Sequence, residues 1–136
     1  MTHRQTISTG TPWEKAYGYS RAVRVGNIIE VAGTVASDEN GNVMGATVYE
    51  QARYILAKIE RALHAAGATM QDVVRTRMFL LDITQLDEAG RAHGEVFGDI
   101  RPASTAVGIS GLAGAGFLIE IEVSAVVQKK GAGTNV

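Results

Sequence analysis

The chain has 136 residues, of which 46% are hydrophobic and 20% are charged, which is the usage of a folded globular domain and argues against global disorder. Thirteen basic residues nearly balance fourteen acidic ones, for a net charge of −1, so bulk charge gives no reason to expect nucleic acid or anionic membranes as partners. Cysteine is absent, which excludes disulfides, thiolate nucleophiles and cysteine-based metal sites.

The length predicts a single domain over residues 1–136, with a frayed tail at about 131–136. The first residues lack the apolar stretch of a secretory signal, and no window approaches the ~18 uninterrupted apolar residues of a membrane span. We therefore expect a cytoplasmic protein that does not contact a membrane.

In chain order, the pattern predicts strand, strand, helix, strand, helix, strand, strand. The dipeptide Gly26-Asn27 favours a tight hairpin turn between two β-branched runs, Ser20–Val25 and Ile28–Val35. Thr47 and Glu50 form a capping box at the start of the clearest helix. Apolar residues then recur at helical spacing up to the stop at Gly67, and they are Ala52, Ile55, Leu56, Ile59, Leu63 and Ala66. Lys58 and Arg61 are predicted to face water.

The second half begins with a predicted strand at Val73–Leu81. Period-two alternation places its residues on two sides, with Val74, Thr76, Met78 and Leu80 on one and Arg75, Arg77 and Phe79 on the other. A weaker helix follows at Leu86–Phe97, and Pro102 is expected to restrict Arg101 to extended backbone. The final predicted strands are Ser104–Ile109 and Phe117–Val127.

Two helices on one face of a mixed sheet leave the other face uncovered. Several strands read as apolar on both sides, so this second face is expected to be buried by another copy of the chain.

Glu120 and Glu122 are the first candidate for chemistry. Strand alternation places both on one face, roughly 6.6 Å apart, where partial burial would raise the pKa of one carboxyl and suit it to general acid or base work. The alternative is ion pairing with Arg75 and Arg77, which also share a face.

Arg101, Ser104 and Thr105 are the second candidate, because an arginine beside hydroxyls can clamp a small carboxylate. The alternative is a solvated arginine followed by polar strand residues. The glycine-rich stretch 111–116 lacks lysine and precedes a strand, so we reject it as a phosphate loop. The three histidines lack metal-ligand spacing, and His93 is expected to be a hydrogen-bonded interior or interface residue.

Short motifs recur in the order found in one known family, from about Gly18 to Gln128: Gly18-Tyr19-Ser20, Val25-Gly26-Asn27, Ala32-Gly33-Thr34, Ala65-Ala66-Gly67-Ala68, Asp72-Val73-Val74, Phe97-Gly98-Asp99, Arg101-Pro102-Ala103 and Ile119-Glu120-Ile121-Glu122. Together they resemble the Rid (reactive intermediate deaminase, or YjgF) family, also described as endoribonuclease L-PSP-like.

The resemblance implies an α+β, chorismate-mutase-like fold of the bacillus type, with a mixed sheet and two helices on one face. It implies a homotrimeric barrel with the helices outside and ligand clefts between adjacent subunits. It also implies hydrolysis of reactive enamines or imines to keto acids and ammonia. The substrate would be a small carboxylate-bearing metabolite, and no metal or organic cofactor would be used.

Carried over by position, Glu120 matches the glutamate that positions the attacking water and is the predicted catalytic residue. The predicted substrate-binding residues are Tyr19, Gly33, Arg101, Ser104, Thr105 and Ala106. The family's deaminases read Arg-Pro-Ala-Arg-Ser, whereas here Ser104 replaces the carboxylate-binding arginine. Either another cation such as Arg21 or Arg101 holds the ligand, or the substrate is not a simple amino-acid-derived enamine. Further departures are Glu30, Ala32, His93 and Ala106.

Three functions therefore compete. The first is an enamine/imine hydrolase in which Glu120 positions water while Ser104, Thr105 and the Gly33 backbone orient the substrate. The second is a trimer that binds a metabolite without turnover. The third is RNA cleavage or translation inhibition, which the near-neutral charge and the lack of a basic, aromatic-studded face disfavour.

Overall fold

The computed structural model describes residues 3–128, so the predicted tail at 131–136 lies outside the described residues. These residues form six strands, β1 (Arg4–Ile7), β2 (Ala22–Val25), β3 (Ile28–Thr34), β4 (Val73–Leu80), β5 (Ala103–Gly108) and β6 (Ile119–Val126). They also form three α-helices, α1 (Pro12–Tyr17), α2 (Val48–Ala65) and α3 (Leu86–Phe97). None of the helices in this range combines the length and apolarity that a membrane crossing requires.

The strands form one mixed sheet in the order β1-β2-β3-β6-β4-β5. Every neighbouring pair is antiparallel except β4 and β5, which are parallel. The predicted α+β class and the hairpin turn at Gly26-Asn27 are confirmed, since β2 ends at Val25 and β3 begins at Ile28.

The core lies between one face of the sheet and α2 with α3. The predicted stripe of α2 is buried throughout, and it packs with the inward residues Ile119, Ile121 and Val123 of β6. The capping box is confirmed, because the Thr47 hydroxyl accepts from the backbone N–H of Glu50 and the Glu50 carboxylate accepts from that of Thr47. Local capping and helical periodicity therefore fix α2 against the sheet.

The sequence did not predict β1 and α1. The polar run Arg-Gln-Thr-Ile in β1 is exposed along most of its length and has no apolar alternation. It becomes a strand by pairing with β2, from Arg4 opposite Val25 to Ile7 opposite Ala22. Helix α1 has only six residues, which is too few for a helical repeat to be visible.

Two backbone predictions were wrong. Val74 was expected on the same side of β4 as Thr76. Instead, the pairing of β4 with β6 shifts register between Val73 and Arg75, and this bulge turns Val74 outward, where it is 45% exposed. Arg101 was expected to be extended, but its φ is +58°. Its backbone N–H donates to the Phe97 carbonyl at 2.8 Å, so it completes the end of α3 before the chain turns into β5.

The sheet face opposite α2 and α3 is amphipathic rather than apolar. Its centre carries hydrogen-bonded polar pairs, including Ser124 with Glu30 at 2.6 Å and Arg77 with Glu122 at 3.3 Å. Exposed apolar side chains flank this centre, such as Ile28 at 55% and Val107 at 40%. The prediction of strands apolar on both sides therefore holds only for the rim of this face.

Candidate functional site

The carboxylate of Glu120 lies directly against Gly33 on the neighbouring strand. The alternation of β6 buries Ile119 and Ile121 on the helix side and turns Glu120 to the opposite side, where it is half-buried. Opposite it, β3 contains an irregularity, since Val31 pairs with Val123 but Thr34 pairs with Ile121. A side chain at Gly33 would overlap the Glu120 Oε2 and Cδ atoms, so the bulge and the glycine together leave room for the carboxylate.

Glu120 and Glu122 differ in their cross-strand partners. Glu122 stands opposite Arg77 and pairs with it at 3.3 Å, whereas Glu120 stands opposite Phe79. Burial raises the pKa of Glu120, repulsion from Glu122 raises it further, and Arg21 partly opposes both. Ion pairing thus applies to Glu122, while Glu120 accepts no hydrogen bond from any residue between 3 and 128.

Arg21 links the Glu120 region to the predicted tyrosine. Its Nη1 donates at 2.8 Å to the Gly33 carbonyl and at 2.8 Å to the Thr34 hydroxyl, and only 12% of its side chain is exposed. Its guanidinium lies 5.9 Å from the ring centroid of Tyr19. The structure therefore brings Tyr19, Gly33 and Glu120 together around Arg21, which the sequence suggested only as a replacement cation.

Glu14 anchors this group from the N-terminal segment. Its side chain is 4% exposed, and its Oε2 lies 3.9 Å from Nε of Arg21. The carboxylate accepts hydrogen bonds from the Ser8 hydroxyl at 2.9 Å and from the Thr11 hydroxyl at 3.1 Å. It also accepts from both the N–H and the hydroxyl of Thr9. Burial would raise the pKa of Glu14, but these hydrogen bonds outweigh it and lower the pKa. The hydroxyl-rich run before this acid was the only signal in the sequence, and it was missed.

Tyr19 borders a cleft of about 430 Å³ that opens on the amphipathic face. Arg4, Glu30 and Glu122 also line this cleft. The backbone N–H of Tyr19 donates to the Glu14 carbonyl at 2.9 Å, so α1 fixes where the tyrosine enters the cleft. Glu30, one of the positions at which the sequence differs from the family pattern, therefore lies beside Tyr19, a predicted substrate-binding residue.

The remaining predicted residues lie on β5 and form a separate group. The Ser104 hydroxyl accepts from Thr76 at 2.8 Å on the helix side of the sheet, whereas Thr105 accepts from Arg75 on the amphipathic side. Ala106 packs against the core, and Arg101 is exposed at the entrance to the strand. Within the chain, the predicted β5 residues therefore lie on both faces of the sheet.

Ser104 and Glu120 are not brought together within the chain. Ser104 pairs with Thr76 and Glu120 with Phe79. They are therefore separated by about 10 Å along β4 and about 10 Å across two strand spacings. Thr76 and Phe79 also point to opposite faces, because they are three residues apart on a strand. The predicted site consists of two halves, one around Glu120 and one along β5.

The sequence also misplaced Lys58. Instead of facing water, its ammonium donates to the carbonyls of Val35 at 2.8 Å and Ser37 at 2.9 Å. Burial and the nearby Arg21 charge lower the pKa of Lys58 to about 8. This lysine connects α2 to the segment that follows β3, directly after the residues that contact Arg21.

In the range 3–128, no group of three or more His, Asp or Glu side chains is arranged to hold a metal ion.

Comparison with known proteins gives the family. The family model described as Endoribonuclease L-PSP matches residues 11–127. The chain belongs to this family. A RutC family protein of Pyrococcus abyssi is 36% identical over 108 residues, which cover 79% of this chain and 84% of that protein. An uncharacterised protein of Streptomyces coelicolor is 33% identical over 119 residues, covering 88% and 89% of the two chains.

Solved structures of the Endoribonuclease L-PSP family's relatives share the fold. A member of the YjgF/YER057c/UK114 family from Mycobacterium tuberculosis has 44% sequence identity and a TM-score of 0.85, with 92% of this chain and all of that chain covered (100%). A protein of the conserved Rid family from Yersinia pestis has 27% identity and a TM-score of 0.81, with coverage of 92% and 100%. The resemblance read from the motifs is therefore confirmed.

Proposed function

We propose that the protein is a small-molecule hydrolase of the enamine/imine deaminase type, with ligand clefts between the subunits of a homotrimer. The observation that carries this proposal is the half-buried carboxylate of Glu120, which lies against Gly33, has a raised pKa and forms no ion pair with a residue between 3 and 128. A carboxyl group in such an environment suits general acid–base catalysis.

In the proposed reaction, Glu120 holds a water molecule and takes one of its protons as the oxygen adds to the carbon of a protonated imine. Glu120 then returns this proton to the nitrogen of the resulting carbinolamine, the C–N bond breaks and ammonia leaves, and the ammonia takes the hydroxyl proton as the carbonyl forms. The oxidation state of the substrate does not change, so this hydrolysis requires no redox cofactor. We expect no organic cofactor or metal.

A substrate carboxylate requires a cation, and Arg101 is the better candidate. Nη1 of Arg21 already donates to Gly33 and Thr34 within the subunit, whereas Arg101 is exposed beside the predicted β5 residues. Arg101 is also the non-glycine residue within 3–128 that has a positive φ. Such a conformation in a non-glycine residue costs energy and often marks a functional position.

The separation of the two half-sites supports the location at a subunit interface. Glu120 and the β5 residues lie on different strands, and Glu120 and Ser104 on different faces, so a compact ligand does not reach both within one subunit. β5 is the last strand of the sheet order, and its free edge can approach the Glu120 region of a neighbouring copy. A cyclic trimer would supply this arrangement at each of its interfaces.

The first test is hydrolysis of enzymatically generated 2-aminoacrylate, followed by stopped-flow absorbance. We expect Glu120→Gln to lower the rate by a factor on the order of 10²–10⁴, the usual contribution of a general base. Glu122→Gln is the matched control, because the same change removes a carboxylate that is already paired with Arg77. Equal rates for wild type and Glu120→Gln would reject the proposed role. Faster turnover by Ser104→Arg would show that the missing arginine limits this substrate.

A metabolite-binding trimer without turnover is the alternative, and it predicts thermal stabilisation by ligand with no product. The description of the family model also keeps endoribonuclease activity open for test. With a net charge of −1, we expect any RNA binding to disappear at moderate salt, as nonspecific phosphate contacts do.

A further inference from the structure

Three neutral side chains form a continuous hydrogen-bonded chain from α3 to the free edge of the sheet. His93 Nε2 lies 2.8 Å from the Thr76 hydroxyl oxygen, and that hydroxyl lies 2.8 Å from the Ser104 hydroxyl. Thr76 is fully buried, whereas Ser104 is exposed on β5. The parallel pairing of Thr76 with Ser104 places both hydroxyls on the same side of the sheet.

The donor at one link determines the donor at the next, because each hydroxyl has a single hydrogen. With Thr76 donating to Ser104, the Thr76 oxygen accepts from His93. His93 must then carry its hydrogen on Nε2. The Ser104 oxygen accepts from Thr76, which leaves the Ser104 hydrogen free to donate outward, and successive donation along the chain polarises that last O–H.

The chain carries no net charge at its exposed end. Burial lowers the pKa of His93 below its ordinary 6.5, and the ring packs 4.7 Å from that of Phe97. Ser104 therefore offers one neutral, oriented donor at a sheet edge. A carbonyl, amide or hydroxyl oxygen matches such a donor, whereas a carboxylate keeps most of its charge uncompensated unless a cation is supplied.

We propose that Ser104 is a specificity-determining residue that binds a neutral carbonyl or amide oxygen of the ligand, and that Thr76 and His93 are positioning residues which orient its hydroxyl. The ligand class is then a small carboxylate that carries a second, uncharged oxygen-bearing group. The proposal rests on the proposed function for the position of β5 in the cleft, but it does not require turnover.

The test compares succinamate with succinate, which have the same shape and differ in whether the second group is an amide or a carboxylate. Calorimetric titration is expected to show succinamate binding more tightly to the wild type. Loss of one neutral hydrogen bond in Ser104→Ala should weaken succinamate by about three- to tenfold and leave succinate unchanged. Ser104→Arg should reverse the preference, and Ser110→Ala, an exposed serine outside the chain of hydrogen bonds, should change neither affinity.

Two further variant pairs separate positioning from simple structural support. Thr76→Val should weaken succinamate as Ser104→Ala does, and Thr76→Ser should restore the affinity because it keeps the hydroxyl. His93→Gln keeps an N–H donor and should retain more of the preference than His93→Phe. The imidazole ¹⁵N shifts of wild-type His93 should report the hydrogen on Nε2.

A hydrogen on Nδ1, no succinamate binding, or an unchanged affinity in Ser104→Ala would overturn this inference. None of these outcomes bears on the proposed hydrolysis, which is tested by comparing the turnover rates of the wild type and Glu120→Gln. Conversely, a preference for succinamate that depends on Ser104, without any hydrolysis, would leave the recognition role intact and reject the reaction.

Discussion

At the scale of single residues, Glu120 and Glu122 show how register assigns chemistry. The two acids lie two positions apart on one face of β6, yet Glu122 meets Arg77 and Glu120 meets Phe79 and Gly33. One carboxylate is therefore compensated by charge, and the other is desolvated beside a like charge. Burial and the neighbouring like charge raise the pKa of Glu120.

Glu120→Gln is predicted to stabilise the protein at neutral pH. The pKa of Glu120 is raised above its ordinary 4.5, so the folded state binds this proton more tightly than the unfolded state does. The contribution of Glu120 to wild-type stability is then highest below about pH 4.5 and declines as the pH rises through the folded-state pKa. Urea unfolding at pH 7 should show a more stable variant, and the difference should vanish below pH 4.5. A Gln variant that is less stable at pH 7 would contradict the burial of a charged group.

Gly33→Ala is predicted to remove activity while preserving the fold. The added Cβ would overlap the Glu120 carboxylate, which is the end of a flexible side chain and can swing aside. We expect stability to change by no more than about 1 kcal/mol, and turnover to fall by about 10²-fold, because small displacements of a catalytic group have large effects. Melting temperature and initial rate measure the two effects. Gly90→Ala, at an exposed helical position with open space around it, is the control and should keep full activity.

At the scale of elements, the short N-terminal segment positions the site although it adds little to the core. Helix α1 is held through Glu14, which gathers the hydroxyls of the preceding loop and lies beside Arg21. The carbonyl of the same residue accepts from the N–H groups of Gly18 and Tyr19. One buried acid therefore connects β1 and α1 to the residues around Glu120.

Glu14→Gln is predicted to destabilise the fold by about 1–3 kcal/mol at pH 7, because an amide cannot accept all the hydrogen bonds that the carboxylate receives. The pKa of Glu14 is lowered, so its contribution is present above the ordinary value of 4.5 and is lost as the pH falls through the folded-state pKa. The gap between wild type and variant in urea unfolding should therefore narrow in acid. Glu39→Gln, at an exposed turn position, should leave the unfolding midpoint unchanged.

At the scale of the whole molecule, the amphipathic face and the free edge of β5 are the surfaces that suggest self-association. Paired charges occupy the centre of that face, and exposed apolar residues such as Ile28 and Val107 flank it. A polar centre with an apolar rim can be buried between identical copies if its charges remain hydrogen-bonded. We expect a mass of about three times the 14.4 kDa chain for a closed cyclic trimer.

Subunit mixing tests whether each cleft is shared. Glu120→Gln and Ser104→Asp alter different half-sites, and each variant alone is expected to be inactive on 2-aminoacrylate. If the cleft combines Glu120 of one copy with β5 of the next, random co-assembly of equal amounts should restore about a quarter of the wild-type sites. Light scattering confirms the assembly, and mixing without co-refolding is the control. Absence of recovery in verified mixed trimers would place each site within one chain.

The sequence alone determined the features that repeat within a few residues. The apolar stripe and capping box of α2, the turn at Gly26-Asn27, and the alternation of β6 all arise from backbone geometry of fixed period. The same local patterns, with the ordered family motifs, were enough to predict the α+β fold. The alternation placed Glu120 and Glu122 on one face but did not distinguish them.

Only the tertiary structure decided which of these residues meet. The partner of Glu120, the burial of Glu14, the inward turn of Lys58 and the separation of Ser104 from Glu120 all depend on segments far apart in the chain. Strand register and bulges set these contacts, and a shift of one residue reverses the face of every side chain on a strand. Periodicity within one segment is unchanged by such a shift, so the sequence could specify the faces of its elements but not the pairs that form between them.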